Sequence, residues 1–177
     1  TALCLAVEKK NLLIVQKLLS LNGIDPNLFD HNGNTPLIKA IKLCNVDIVS
    51  ELLKFYGNEV PIWQIHSAMK MILDEEKSMY IPILNKIIEI KNISHDFHSK
   101  YNNLLTFACK LEDLDFVQKV LDLNEINVNE MGINQYYTPL MISIYKKNLP
   151  LMKLLLNEEK IDINIMNPKK KTPLTLC

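Results

Sequence analysis

The sequence predicts an all-α solenoid: helix-turn-helix units stacked along one axis, each with a projecting hairpin loop. Three observations carry this. Thr-Pro-Leu occurs three times in 177 residues, starting at Thr35, Thr138 and Thr172, and Thr-Ala-Leu at Thr1 opens the chain in the same way. The starts lie 34, 103 and 34 residues apart, and taking Asn103 (NLLTFAC against TALCLAV) as a further start divides the long gap into 68 and 35. Finally, each start is followed by the same order of apolar and polar segments, which no single unit can fold around alone.

The unit begins with a short helix. A threonine hydroxyl accepts from the free amides of a first helical turn, and Pro36, Pro139 and Pro173 fall where a helix lacks no donor for having proline. Five residues after each start stands a small side chain, Ala6, Ala40, Ala108, Ser143 or Cys177, which lets two helices approach closely. Polar stretches ending in Asn11, Asn45, Asp113 and Asn148 read as turns, through residue types that tolerate turn geometry. A second helix follows, because LLIVQKLLSL, VDIVSELLKF, LDFVQKVLDL and LPLMKLLLNE place apolar residues three and four apart. Each unit closes on Ile, a polar residue, one more residue and Asn (Asn27, Asn129, Asn164), ahead of a tip containing Gly or Pro. Asn32-Gly33 is a strong tight-turn signal.

These residues resemble the ankyrin repeat family, whose unit of about 33 residues opens with T-P-L-H-x-A. The Thr-Pro-Leu starts, the leucine pairs Leu18-Leu19, Leu52-Leu53 and Leu154-Leu155, and the Ile-Asp-x-Asn segments follow that order across nearly the whole chain. A tetratricopeptide array has a similar period without the hairpin tip. The resulting units are 1–34, 35–62, 63–102, 103–137 and 138–171, with a partial sixth over 172–177, in a single array. The family's glycine between the helices is replaced by Lys10, Cys44, Glu112 and Lys147, which makes the units less ideal than consensus ones.

The third unit is irregular. It starts at Val60, with Pro61 at the first helical position, or at Trp63, where His66 and Ala68 match the family's His and Ala. In the second register the resemblance implies that His66 makes a structural hydrogen bond between repeats. Extra length falls in 73–80 and 91–103; the expectation is two helices, no regular hairpin over 54–62, and an array that either extends past Cys177 or frays there.

Composition excludes several functions. Twenty lysines balance twenty acids and there is no arginine, so the planar fork that grips phosphates and guanine edges is missing, which speaks against nucleic acid. Cys4, Cys44, Cys109 and Cys177 form no CxxC pair and read as buried or half-buried thiols of a reducing compartment, hence a cytoplasmic protein. No apolar run approaches the ~20 residues that cross a bilayer. Gly23, Gly33, Gly57 and Gly132 stand alone, so no phosphate-cradling loop forms, and no serine sits in a GxSxG elbow. His95 and His98 could share a helical face as metal ligands, but no third ligand is assignable. No catalytic residue, metal or cofactor is expected.

What remains is an interaction surface. The family resemblance implies a concave face, built from hairpin tips and the exposed side of the first helices, that holds other proteins. On this chain it comprises Phe29, His31 and Asn32 at one tip, Gln135, Tyr136 and Tyr137 at a second, and Lys169 and Lys171 at a third, with Lys42, Lys110 and Tyr145 on the helices. Exposed aromatics are enriched at binding sites, although packing of tip against tip explains them equally well. Lysine with tyrosine suits an acidic partner with apolar anchors, held by a monomer. The alternative is a targeting or regulatory module of a larger enzyme, effector or toxin-immunity system whose active part lies outside the chain.

Overall fold

A computed structural model describes residues 1–57, 59–74, 77–89, 104–123, 126–132 and 136–176. The regular secondary structure of the described residues is helical, with no strand among them. The chain falls into two compact units, Thr1–Lys91 and Asn92–Cys177.

In the first, α1 (Ala2–Glu8), α3 (Pro36–Lys42) and α5 (Ile62–Asp74) form one row, and α2 (Leu12–Leu19), α4 (Val46–Tyr56) and α6 (Ile81–Ile88) form another. A 3-10 turn, Lys77–Tyr80, leads into α6. In the second, α7 (Leu104–Leu111) packs beside α9 (Pro139–Tyr145), and α8 (Leu114–Leu121) beside α10 (Leu149–Leu156). A short 3-10 turn, Leu174–Leu176, closes against α9.

The capping expected at the Thr starts is present at three of them, while Thr172 leads only into the 3-10 turn. Thr1, Thr35 and Thr138 accept from the amides of Cys4, Ile38 and Met141 at 3.1, 3.3 and 3.2 Å. The small positions Ala6, Ala40, Ala108 and Ser143 are all buried, and so is Ala68. Ile65, Ala68 and Met69 in α5 take the buried places that Leu37, Ala40 and Ile41 take in α3, so the third unit follows the Trp63 register. The link between α4 and α5 is short, since α4 ends at Tyr56 and α5 begins at Ile62, whereas α2 ends at Leu19 and α3 begins at Pro36. The irregular stretch 91–103 lies outside the described residues.

The turn between paired helices differs from the sequence reading. Asn11, Asn45, Asp113 and Asn148 do not supply turn geometry; they cap the second helix from extended or near-extended backbone, accepting from the amides of Ile14, Ile48, Phe116 and Leu151 at 2.8 to 3.1 Å. The left-handed conformation falls one residue earlier, on Lys10, Cys44, Glu112 and Lys147, at φ between 51° and 65°. In three of the turns a Schellman pair closes the first helix, as where Asn11 N–H donates to Ala6 O and Lys10 N–H to Val7 O. A side chain in this conformation costs roughly 1–2 kcal/mol, part of which glycine would give back through its freedom in the unfolded chain. Lys147 is exposed, so Lys147→Gly should raise the unfolding free energy by about 0.5–1 kcal/mol in urea titration.

The Ile-x-x-Asn segments also repeat physically. Asp25, Asn127 and Asp162 each accept from the amide two residues on, at 2.9, 3.0 and 2.8 Å, turning the chain toward the tip. The following Asn clamps the next repeat: Asn129 donates to Lys160 O at 2.7 Å and accepts from Asp162 N–H at 2.8 Å. Asn27 instead enters a buried network. Gln64, fully buried at the start of α5, donates to Asn27 Oδ1 (2.9 Å) and Tyr56 Oη (3.3 Å), and accepts from the Thr35 hydroxyl at 2.5 Å. Tyr56 Oη lies 3.1 Å from both Pro26 O and Asn27 Oδ1. Burial pushes the Tyr56 phenol above its ordinary range.

Candidate interaction surface

Two hairpin tips share one construction. Asp30 Oδ1 accepts from the amides of Asn32 and Asn34, both at 2.9 Å, and Asn167 Oδ1 accepts from those of Lys169 and Lys171, both at 3.0 Å. Two backbone bonds across each tip complete it, Asp30 N–H to Asn34 O and Asn167 N–H to Lys171 O among them. Gly33, Lys170 and, in a longer tip, Tyr136 supply the left-handed residue two positions before the next threonine. In the longer tip Gly132 takes the anchoring place through its backbone alone, bonding with Tyr137 O and Tyr136 N–H.

Asp30 carries a second duty. Lys39 of α3 reaches it at 2.9 Å and Glu8 of α1 at 2.6 Å, tying a tip and two neighbouring helices together. Its two amide bonds, with Lys39 adding to them, hold the Asp30 carboxyl well below the usual carboxylate range, and Lys39 lowers Glu8 likewise. In the second unit Lys146 bonds Glu112 at 2.8 Å.

On this frame the expected binding residues fall as follows. In the first unit Phe29, His31, Asn32 and Lys42 are all exposed, and Lys42 Nζ donates to Asn34 Oδ1 at 2.7 Å. In the second, Tyr136, Tyr145, Lys169 and Lys171 are exposed, and Tyr137 is half-buried. Tyr137 stacks on Tyr145 with ring centroids 5.8 Å apart. Lys110 is half-buried, and burial, with Lys146 nearby, lowers its ammonium below the ordinary lysine range. Gln135 lies outside the described residues, as do His95 and His98.

Two residues escaped the sequence reading. Trp63 stacks on Phe29 at 5.7 Å, and both rings are exposed, to 44% and 56%. The aromatic tip residue therefore packs on a helix start rather than on another tip. Lys70 is exposed seven residues after the Trp63 start, as Lys42 is seven after Thr35, Lys110 after Asn103 and Tyr145 after Thr138. Counting seven from each start finds it, but only once the third unit is placed in the Trp63 register.

Other reactive groups are withdrawn. Cys4 and Cys109 are buried, Cys44 is half-buried, and burial pushes the Cys109 thiol up to about 12. Burial also lowers the pKa of His66. Among the described residues no cluster of three His, Cys, Asp or Glu could hold a metal ion, and no helix is long and apolar enough to cross a membrane.

Comparison with known proteins agrees with this architecture. The family model described as ankyrin repeats (3 copies) matches residues 1–62 and 75–167. The chain belongs to the ankyrin repeat family. An ankyrin repeat protein of Fowlpox virus (strain NVSL) is 30% identical over 139 residues, covering 75% of this chain; the chain spans 22% of that relative's length. Among solved structures, an ankyrin repeat domain from Acinetobacter baumannii AYE superposes with a TM-score of 0.75 at 21% identity, covering 98% of this chain and 88% of that one. The ankyrin repeat domain of Bcl-3, described as a unique member of the IkappaB family, gives 0.72 at 18% identity over 98% and 78%. A chain in the complex of the Bd0816 predatory endopeptidase from Bdellovibrio bacteriovorus with immunity protein Bd3460 gives 0.69 at 22% identity over 99% and 90%. Ankyrin arrays are protein-interaction scaffolds, and these similarities extend the fold to this chain.

Proposed function

We propose that this chain is a protein-binding module, and that in each unit the face formed by hairpin tips and first-row helices holds the partner. The observation that carries the reading is the Tyr137–Tyr145 ring pair, with Tyr145 and the neighbouring Tyr136 exposed. Lys110, Lys169 and Lys171 surround the second unit's surface with positive charge, and Phe29, His31, Asn32 and Lys42 form the first unit's counterpart. The partner is an acidic protein with apolar anchors, neither nucleic acid nor membrane. The module works as a monomer without catalysis, cofactor or metal, and the free thiols of Cys4, Cys44 and Cys109 suit a reducing compartment such as the cytoplasm.

Because the chain spans 22% of its viral relative's length, we also read it as one module of a longer protein, with any active part carried elsewhere. A photo-crosslinking side chain placed at Tyr136 or Tyr145 should trap one and the same protein in native lysate, while the same probe at Lys153, exposed on the outer-row helix α10, should trap none. Equal trapping from both faces would remove the reading.

A further inference from the structure

The first unit holds a second, separate arrangement of aromatic and charged groups. Phe29 and Trp63 form an exposed, tilted ring pair, 36° between planes, that spans a hairpin tip and the first turn of α5. From Trp63, the face of α5 runs through half-buried His66 and exposed Ser67 to exposed Lys70, seven residues and two helical turns away. That separation is roughly 10 Å along the axis. On α3, which packs beside α5, Lys42 occupies the matching position, seven residues after its start.

Lys42 and Lys70 are exposed. Glu8 and Asp30 are both engaged by Lys39. Lys42 meets only the neutral amide oxygen of Asn34, and among the described residues no carboxylate lies within ion-pair distance of Lys42 or Lys70. An extended peptide advances about 3.3 Å per residue, so ~10 Å corresponds to about three residues.

We infer that the first unit is a docking site for an extended acidic peptide whose bulky apolar side chain packs on the Phe29–Trp63 pair and whose carboxylate, about three residues away, meets Lys70 and Lys42. This rests on the proposed use of the tip-and-helix face. It adds the chemistry, the spacing and the line along which the peptide lies.

Trp63 is the only tryptophan in the chain, so its fluorescence reports on the site directly. A library of random twelve-residue peptides displayed on phage is selected against the immobilised chain, and enriched peptides are synthesised and titrated. Enriched sequences should carry Asp or Glu two to four residues from a Phe, Leu or Trp, and the synthetic peptides lacking tryptophan should shift Trp63 emission to shorter wavelength saturably. Phe29→Ala should weaken them about tenfold, and Lys70→Glu, a surface change, should do the same while favouring peptides with lysine in place of the acid. No enrichment, enrichment without that acidic spacing, binding that leaves Trp63 emission unmoved, or indifference to Lys70→Glu would each overturn the inference. Crosslinking from Tyr136 and Tyr145 reports on the second unit alone, so a partner trapped there while the selection fails would sink this site and spare the broader function.

Discussion

Ile41→Ala should lower the unfolding free energy of the first unit by about 2–5 kcal/mol, read as a lowered urea midpoint with little change in slope. Ile41 is fully buried on α3, and α3 is packed by α1 on one side, α5 on the other and α4 behind it. With helices fixed on three sides, the space left by three lost carbons cannot close readily, which places the cost toward the upper end of that range. Against the 5–15 kcal/mol typical of a whole domain, the loss is large. Leu13→Ala on α2 is the matched control: its side chain is among the most exposed of the apolar residues, and removing it should change stability by no more than about 0.5 kcal/mol.

Gln64→Glu should be as damaging, and in a way that depends on pH. One oxygen of the new carboxyl could still accept from Thr35, but the other would replace an amide that donates to Asn27 Oδ1, setting acceptor against acceptor there from a fully buried position. An uncompensated buried charge costs about 3–5 kcal/mol. Burial without a cation raises the folded-state pKa above the unfolded value of ~4.3, so the proton is held more tightly in the folded chain. The variant is therefore least impaired in acid, and the penalty grows as pH rises from the unfolded pKa through the folded one. Thermal melts of Gln64→Glu and the parent chain at pH 4.5 and 7.5 should diverge at the higher pH; a gap independent of pH would mean that the carboxyl escapes to water.

The elements that recur were legible because they are local. A threonine cap, a proline in the first turn and a small residue five places on are each local signals, and at Thr35 and Thr138 all three fold as their spacing indicates. The turn between paired helices was mislocated by one residue, because asparagine serves both as a left-handed turn residue and as a cap. The Schellman bonds assign the left-handed backbone to Lys10 and Lys147, whose residue types gave no sign of it. Contacts that do not recur were harder to see. Gln64 stands where the Thr-Pro-Leu units have proline, and nothing local says that it will bond Asn27, thirty-seven residues earlier. The Phe29–Trp63 pair joins two units and depends on the register of the third, which two competing starts left open. The same ambiguity concealed Lys70.

The hairpin tips have a consequence for how such a chain changes over time. One carbonyl or carboxylate oxygen, on Asn167 or Asp30, holds two amides, and the rest of each tip is secured by backbone bonds. His31 and Asn32 in one tip, Lys169 and Lys171 in the other, lend no side chain to that architecture. Their identities are thus free to drift under selection for recognition while the scaffold beneath stays constant, so an old fold can acquire a new target by rewriting a few letters at its rim.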